Sequence, residues 1–485
     1  MSTLTQIKFG GYTGGVLLIY FLSYFDLFAQ NHYYNTVQYG GTASLISGAA
    51  VSGTPDNASI YYNPAATAIH RVQDLSMSSN LYGITLLKVF NGAGLNQDFN
   101  SNKVNLFPQL LAGRIPSKKS DRLFIGYTLL TRNDNVVEFN ARNNIYKPSS
   151  VDNTPDTLAV AAFDWEEQLT EQWGGLNLSY RLNSNWAIGG TFFLAYRQHK
   201  FSSRSFVRIV NLSNSITIGT GELFQRFRSN TLGMLLKLGV HWKQGPIRLG
   251  GTITTPKLNL DTFIDKGTLE RELLILNIHE FFGANDIILI DRQEKLKTRH
   301  KQPWEIAFGA AYQLKRTALY FSVNYYTAVS IYTLLDPKPP SDIVEELLSS
   351  TDFLSVRDGA RSITNISVGA EHRYGSFTLL GGFRTNLSNY LDIRNRIGSE
   401  IVIAPGVGRY NLYYLTAGVG FQKGHNSVHI GIDYGFSKKS VAPFADDLTS
   451  INNFFGFQES EVSPEVKLNQ INLILSFTHY LKTGD

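Results

Sequence analysis

From about Val72 to the C-terminus, apolar residues repeatedly alternate with small or polar residues at a period of two. This period places successive side chains on opposite faces of a β-strand. A single strand of this kind would also suit a soluble sandwich, but here the pattern recurs, and several apolar rows carry Trp, Tyr or Phe at their ends, as the interfacial girdles of membrane barrels do. Such rows include Leu232, Met234, Leu236, Leu238, Val240 and Trp242; Trp304, Ile306, Phe308, Ala310 and Tyr312; and Val428, Ile430, Ile432, Tyr434 and Phe436.

The connections between these segments alternate in length. Short polar turns are predicted at 116–121, 183–185, 243–246, 315–317, 373–376 and 423–426, and mostly longer loops at 91–103, 143–156, 211–215, 261–298, 338–362, 391–409 and 445–464. Short periplasmic turns and long outer loops are typical of outer-membrane barrels, and the segments number about 14, an even number as bacterial barrels have. The sequence therefore predicts an all-β transmembrane fold, a 14-stranded antiparallel outer-membrane β-barrel formed by residues 72–485.

The composition excludes several other classes of protein. Charged residues make up only 17% of the chain, yet no run of about 18 apolar residues follows the N-terminus, so no helix is expected to span the bilayer. The chain has no cysteine, which excludes disulfides and thiolate chemistry. Its net charge of +5 comes without a basic run, so nucleic acid is not expected as a partner.

The N-terminus has the features of a secretory signal peptide. Lys8 is followed by a short apolar core at Val16–Leu22 and by Phe28-Ala29-Gln30, where cleavage is expected after Ala29 or Gln30. Residues 1–30 are therefore assigned to a signal peptide, and the mature protein to the bacterial outer membrane. A retained anchor helix is the alternative, although the apolar core is too short to span a bilayer.

Residues 31–71 do not alternate cleanly and are too few to form a core of their own. Their centre, Gly40–Ala65, is rich in residues that permit close packing and tight turns. The predicted place for this segment is the barrel lumen, where it would form a hatch; a disordered periplasmic tail is the alternative, against which Tyr61-Tyr62 argues. Wall glycines expected to face the hatch are Gly233, Gly239, Gly309, Gly418, Gly420, Gly431 and Gly435, and charged residues expected to pair with it are Lys237, Glu305, Arg384 and Asp433.

Two of the long loops show apolar residues at helical spacing. Residues 268–282 are predicted to form one helix, and Ser341–Phe353, which starts with Ser341-Asp342 and carries Glu345-Glu346, a second. Such helices above a barrel either pack against other loops or bind an apolar ligand. The apolar residues of the first helix are Leu269, Leu273, Leu274, Leu276, Ile278, Phe281 and Phe282.

The sequence contains no enzyme signature: G-x-S-x-G, H-E-x-x-H, the P-loop and Cys-based metal patterns are all missing. His372 and Ser376, near one rim, have no third group to orient them. His241 and His429 are interpreted as hydrogen-bonded packing residues. The protein is therefore not expected to be an enzyme, and no metal or other cofactor is expected.

The segment GGTASLISGAAVSGTPDNASIYYNPAATA resembles the N-terminal hatch of the FadL/TodX family of outer-membrane transporters of hydrophobic compounds. In motif the resemblance is confined to this segment, whereas in architecture it covers the mature chain. The residues that it assigns to the hatch and gate are Gly40, Gly41, Asp56, Asn57, Asn63, Pro64 and Ala65.

The resemblance also implies a ligand path. In this family a fatty acid or hydrocarbon lands in an apolar groove between outer loops and leaves sideways at an inward kink of the third strand. The loop 261–298 lies where the family carries its groove-forming loop, so the apolar residues of its predicted helix are expected to bind substrate. In the third strand, Asn133, Asp134 and Asn135 either form the kink or lie above the membrane, since they are about a full span from Asp121.

These observations leave three functions. The first is passive uptake of hydrophobic small molecules such as long-chain fatty acids, because no energy-coupling motif is visible. The second is a protein-binding barrel, since the chain also resembles the FadL-like shuttle component of the Bacteroidetes type IX secretion machinery. The third is a general porin, against which the predicted plug argues. The expected partners are a hydrophobic ligand, outer-membrane lipid and the barrel-assembly machinery, and the chain is expected to be a monomer.

Overall fold

A computed structural model describes residues 33–68, 74–91, 98–116, 120–147, 157–212, 215–260, 266–276, 286–339, 354–393, 403, 410–440 and 465–480. These residues form 19 strand segments in one sheet. No helix in these ranges is long and apolar enough to cross a membrane. The strands are β1 (Asp74–Phe90), β2 (Phe99–Pro116), β3 (Leu123–Lys147), β4 (Thr157–Arg181), β5 (Trp186–Asn211), β6 (Ile216–Gln244), β7 (Ile247–Thr254), β8 (Leu258–Asn259), β9 (Gly267–Leu276), β10 (Ile287–Thr298), β11 (Glu305–Gln313), β12 (Thr317–Tyr326), β13 (Val329–Asp336), β14 (Val356–Ala360), β15 (Ile363–Tyr374), β16 (Phe377–Asn386), β17 (Leu412–Lys423), β18 (Asn426–Ser440) and β19 (Glu465–Tyr480).

The sheet closes on itself, because β1 pairs with β19 from Asp74↔Tyr480 to Phe90↔Glu465. Ten strands cross the wall as single segments, namely β1 to β6 and β16 to β19. Four further crossings are interrupted: β7 with β8 and β9, β10 with β11, β12 with β13, and β14 with β15. The predicted 14-stranded antiparallel barrel is therefore confirmed.

An apolar band surrounds the barrel. On β5, Ile188 and Phe192 point outward and are exposed, whereas Phe193 points inward and is buried. Exposed aromatic residues such as Trp186 and Trp304 lie at the ends of the apolar rows. A bilayer requires such a surface, since a closed barrel also pairs its backbone groups within the wall.

Strands β3 to β6 continue beyond this band. They contain 25, 25, 26 and 29 residues, far more than the roughly 9–11 that span a bilayer, so these strands project above the membrane. The projecting wall encloses buried apolar side chains, here named the outer apolar cluster. It is defined by Phe99, Phe139, Phe163, Trp165, Phe201, Phe227, Leu269 and Leu273.

Residues 33–68 fill the lumen and form the plug. Its helices, α1 (Thr42–Leu45), α2 (Ser59–Tyr62) and the 3-10 helix η1 (Pro64–Ala68), are too short to be stable alone, and all their side chains are buried. Burial against the wall therefore holds them in place. The predicted lumenal position of this segment is confirmed.

The helix predicted over residues 268–282 is wrong where the structure describes it, because Gly267–Leu276 is strand β9. The segment fits both periods: Leu269 and Leu273 point inward, and Glu270 lies on the opposite face. The projecting part of β6 offers β9 a partner on one side and β10 offers one on the other. This pairing decides in favour of the strand, as tertiary context often overrides local pattern.

Candidate functional site

A pocket lies on the extracellular side of the plug and is named the lumenal pocket. Tyr33 and Tyr34 of the plug form one side, and the wall forms the rest. Val329 and Tyr332 belong both to its lining and to the buried apolar core that contains the outer apolar cluster, so the pocket and the cluster are contiguous. The complete lining is Tyr33, Tyr34, Arg132, Asn133, Glu171, Arg197, His300, Lys301, Gln302, Pro303, Val329, Tyr332, Asp358, Gly359, Ala360 and Asn389.

A β-bulge in β3 directs one side chain into this pocket. The β3–β4 ladder shifts register between Thr131 and Asn133, so Arg132 is the extra residue. Arg132 is 5% exposed and lines the pocket together with Asn133. The residues predicted as a kink, 133–135, directly follow this bulge, and their role as a kink stays a prediction.

The wall beside the bulge is held by fewer main-chain pairs. The β2–β3 ladder runs from Pro116↔Phe124 to Leu110↔Leu130 and ends there, although both strands continue outward. Beyond it, the Thr131 hydroxyl donates to the Pro108 carbonyl at 2.8 Å. The part of the wall beyond Leu110↔Leu130 is named the β2–β3 seam.

Arg132 is a buried cation that forms no salt bridge with any described residue. Within the described chain it forms no ion pair, and its guanidinium lies 5.8 Å from the ring centroid of Tyr61 and 5.6 Å from that of Trp173. Two buried acids interact with its charge at longer range, and each is bound more closely by another cation: Glu305 by Lys237 at 3.3 Å and Glu171 by Arg197 at 2.9 Å. A buried charge usually requires a counter-charge, so the pocket is suited to an anionic group.

The opposite side of the pocket carries Asp358, His300 and Lys301, all above the apolar band. The Tyr332 hydroxyl donates to Asp358 at 2.6 Å, and Lys301 lies 5.1 Å from the Tyr332 ring centroid. Burial raises the pKa of Asp358, with the Tyr332 hydrogen bond opposing the shift. Burial also lowers the pKa of His300 well below its usual range, so this imidazole is neutral at pH 7.

The predicted hatch residues lie at the contact between plug and wall. The Asn63 amide donates to the Val51 carbonyl at 2.8 Å and to the Val240 carbonyl of the wall at 3.0 Å, and its oxygen accepts from the Ala65 N–H at 3.1 Å. Asn57 donates to the Ser76 hydroxyl of β1 at 3.1 Å. Both side chains therefore fasten the plug to the barrel.

Asp56 organises the turns of the plug itself. Its carboxylate accepts from the Ala43 N–H at 3.1 Å and from the Thr54 hydroxyl at 2.9 Å. Gly40 packs against Asp56 and has a φ of +81°, where a side chain would be strained, and Gly41 packs against His429 of the wall. The gate role assigned to these residues stays a prediction.

Glycines of the wall let the plug approach closely. A Cβ at Gly309 would lie 2.6 Å from the Ser52 nitrogen, and Gly239, Gly418 and Gly431 likewise face the plug as predicted. The prediction was wrong for three others, since the atoms nearest to Gly233, Gly420 and Gly435 belong to wall residues Lys257, His429 and Tyr414. It missed other glycines in contact with the plug, namely Gly126, Gly189, Gly250, Gly369 and Gly382.

The charged lumenal residues pair mainly with one another. Lys237 lies 3.3 Å from Glu305, and Arg384 binds Asp433 through two bonds of 2.7 and 2.9 Å. Among the described residues, the predicted contact with the plug is found for Arg384, which also donates to the Asn35 carbonyl at 3.2 Å, and for Lys237, whose Nζ lies 4.8 Å from the ring centroid of Tyr61. Residues far apart in sequence meet here, which is why their mutual pairing escaped prediction.

The predicted substrate-binding residues are not all brought together. Leu269 and Leu273 point into the outer apolar cluster, whereas Leu274 and Leu276 are half-buried on the opposite face of β9. Ile278, Phe281 and Phe282, like the second predicted helix Ser341–Phe353, lie outside the described residues. Sequence reasoning missed Arg132, Arg197 and Lys301, which no motif marks and which only the folded barrel brings together.

No family model and no curated protein matches the sequence. Solved structures match almost the whole chain. A FadL homologue of Pseudomonas aeruginosa has a TM-score of 0.59 at 11% identity and covers 93% of this chain and 100% of its own. The toluene transporter TodX of P. putida has a TM-score of 0.58 at 13% identity and covers 92% of this chain and 99% of its own. The toluene transporter TbuX of Ralstonia pickettii has a TM-score of 0.54 at 14% identity and covers 93% of this chain and 100% of its own.

At these identities the likeness establishes the fold. It agrees with the closed barrel, the apolar band around it and the plug inside it. The chain is therefore a bacterial outer-membrane β-barrel with the FadL/TodX fold.

Proposed function

We propose that the protein takes up hydrophobic small molecules across the outer membrane by passive diffusion. The observation that carries this proposal is the lumenal pocket, which adjoins the apolar interior of the outer barrel on one side and the β2–β3 seam on another. Proteins with the same fold include two described as toluene transporters, and toluene is an apolar compound. Capture, binding and exit can be assigned to neighbouring parts of the barrel.

The outer apolar cluster is the proposed capture site. Its side chains lie within the projecting wall, and Tyr33 packs against the same core and also lines the lumenal pocket. An alkyl chain gains about 0.8 kcal/mol for each CH₂ group that it buries. A tail of several carbons therefore supplies enough free energy for capture without any catalytic group.

We further propose that the preferred ligand is an amphipathic acid such as a long-chain fatty acid. Three cations line the lumenal pocket, Arg132, Arg197 and Lys301, against the two acids Glu171 and Asp358. Arg132 forms no salt bridge with any described residue, whereas Glu171 is already bound by Arg197 and Asp358 accepts a hydrogen bond from Tyr332. A ligand carboxylate would complete this pocket with a charge-assisted hydrogen bond, worth about 1.5–3 kcal/mol.

The β2–β3 seam is the proposed exit. Arg132 of the pocket lies at the bulge beside it, and the main-chain ladder between the two strands ends at Leu110↔Leu130. Parting the strands outward of this point breaks few backbone bonds, whereas parting β3 from β4 or β4 from β5 would break a nearly continuous ladder. Through a sideways exit, an apolar ligand also reaches the bilayer without passing through the polar part of the lumen.

The plug would then act as a hatch against polar solutes. It is buried in the lumen and touches the wall closely at glycines such as Gly239, Gly250 and Gly309. Removing Gly40–Ala65 is expected to raise the ion conductance of the protein in planar bilayers. Unchanged conductance in a correctly folded deletion variant would contradict the hatch role.

Uptake of radiolabelled fatty acid into proteoliposomes tests the proposed function. Saturable binding to the purified protein and accelerated uptake relative to protein-free liposomes are expected. An unplugged deletion variant serves as the control for non-specific leakage, since it also admits small ions and sugars. Absence of saturable binding, together with co-purification of a protein partner, would instead favour the protein-binding barrel.

A further inference from the structure

A concave surface lies in the projecting wall: its charged residues occupy outward positions of their strands, whereas Phe201, Phe227 and Leu269 of its lining belong to the outer apolar cluster. It spans β4, β5, β6, β9 and β10. Its charged lining consists of four cations and two acids, Lys200, Arg226, Arg228, Arg292, Glu166 and Glu270. This surface is named the basic concavity, and it is separate from the lumenal pocket, with which it shares no residue.

The basic concavity lies directly beyond the apolar band. Along the outward face of β5, exposed Leu194 is followed by Tyr196 and, two outward positions later, by Lys200. Along β6, exposed Leu236 lies in the band and Arg228 lies four outward positions beyond it. An aromatic residue marks the interface of a bilayer, so these cations lie at the depth of the lipid headgroups.

The cations at the centre of the concavity are not neutralised by the protein. The ladder places Lys200 opposite Arg228, and like charges directly opposite one another are unfavourable. It places Arg226 opposite Glu270, yet no ion pair forms between them. Within the described chain neither Arg226 nor Arg228 has an ion-pair or hydrogen-bond partner, whereas Arg292 is engaged by Glu294 at 2.9 Å.

We propose that the basic concavity binds the phosphate-bearing headgroup of an outer-leaflet glycolipid. Two guanidinium groups on neighbouring outward positions of one strand present planar donor sets to phosphate oxygens, and Lys200 adds a third cation from the adjacent strand. Glu166 and Glu270 of the same lining can accept hydrogen bonds from sugar hydroxyls. Basic sites beside the membrane are typical headgroup sites, and the acyl chains of the lipid would lie along the apolar band below.

Binding of diphosphorylated lipid A to the detergent-purified full chain, followed by native mass spectrometry, tests the proposal. Each cation near a membrane surface contributes about 1 kcal/mol, which corresponds to roughly fivefold in affinity. The double variant Arg226→Gln/Arg228→Gln is therefore expected to bind this lipid roughly 10- to 30-fold more weakly. Arg208→Gln, an exposed change on β5 outside the concavity, is the matched control and should bind like the unmodified protein.

Two further probes identify the chemistry that is recognised. Dephosphorylated lipid A should bind the unmodified protein about as weakly as diphosphorylated lipid A binds the double variant. Inorganic phosphate alone, at millimolar concentration, should not displace the lipid. The altered residues are exposed, and heat-modifiable migration on gels reports whether each variant barrel has folded.

Equal lipid binding by the double variant, equal binding of dephosphorylated lipid, or the same loss in Arg208→Gln would each overturn the proposal. Displacement by inorganic phosphate would assign the site to free anions instead of a lipid. Fatty-acid uptake by the double variant is expected to remain unchanged. Failure of the uptake function and failure of the lipid site are therefore distinguishable.

Discussion

Asn63 connects plug and wall through one side chain. It is fully buried and takes part in three hydrogen bonds, one of them to the Val240 carbonyl of β6. Gly239 beside it has no side chain that would hold the Asn63 amide away from the wall. The tripeptide that carries the family resemblance thus has a physical role in anchoring.

Replacing Asn63 with Ala should loosen the plug without unfolding the barrel. The variant leaves buried carbonyl and N–H groups without their partner, at a cost of about 1–3 kcal/mol for the plug–wall contact. Transient openings in planar-bilayer recordings are expected. Asn183→Ala, a change in an exposed turn, is the control and should stay closed. Equally quiet recordings from both variants would show that Asn63 is not an anchor.

Arg132 is the residue on which ligand choice is expected to depend. Arg132→Gln keeps a polar side chain of similar reach but removes the charge, so fatty-acid affinity should fall by about 10- to 100-fold, the equivalent of one charged hydrogen bond. Affinity for toluene, which has no headgroup, should change little. Arg204→Gln, which alters an exposed ion pair on the outside of β5, is the control. Equal losses for both ligands would assign Arg132 a structural role instead.

At the scale of elements, the seam between β2 and β3 is the part of the wall that the ligand path requires to open. The chain has no cysteine of its own, so an introduced pair can lock the seam without competing disulfides. Gln109→Cys/Thr131→Cys places two thiols one position beyond the last ladder pair, Leu110↔Leu130. The disulfide should lower fatty-acid uptake strongly, and a reductant should restore it.

The matched control for this lock is Leu111→Cys/Leu129→Cys, a pair that already lies within the β2–β3 ladder. Its disulfide adds a bond where the wall is closed in any case, so uptake should not change. Wild-type uptake through a fully oxidised seam lock would rule out exit between these two strands.

The same elements show how far sequence reasoning reaches. A period of two together with aromatic ends predicts the barrel, because the bilayer imposes one apolar face on every strand. The pattern fails in β9, which lies above the membrane, where no lipid selects between the strand and helix periods. The polar residues Asn133, Asp134 and Asn135 mark an irregularity in β3, but the sequence cannot place the bulge at Arg132, because a bulge is a mismatch in length between β3 and β4.

The lumenal pocket was harder to predict for a related reason. Its residues come from the plug, from β3 to β5, from the break between β10 and β11, from β13 and β14, and from the segment after β16, so only closure of the barrel brings them together. The glycines and the Asn-Pro-Ala tripeptide of the plug form a local sequence motif, and this motif is why the plug could be predicted. Single arginines on alternating strands look like ordinary solvated or lumenal positions until their partners are known.

At the scale of the whole molecule, two routes compete: through the lumen after the plug moves, or sideways through the wall with the plug in place. Ser47 of the plug and Thr416 of β17 have hydroxyl oxygens 2.7 Å apart. Ser47→Cys/Thr416→Cys should therefore form a disulfide that fixes the plug to the wall. With a sideways exit, the oxidised variant should take up fatty acid at an unchanged rate and stay closed to ions. Uptake that stops on oxidation and returns on reduction would show that the plug must leave, and the lateral route would then be wrong. The two single-cysteine variants, which cannot form the bond, separate this effect from the substitutions themselves.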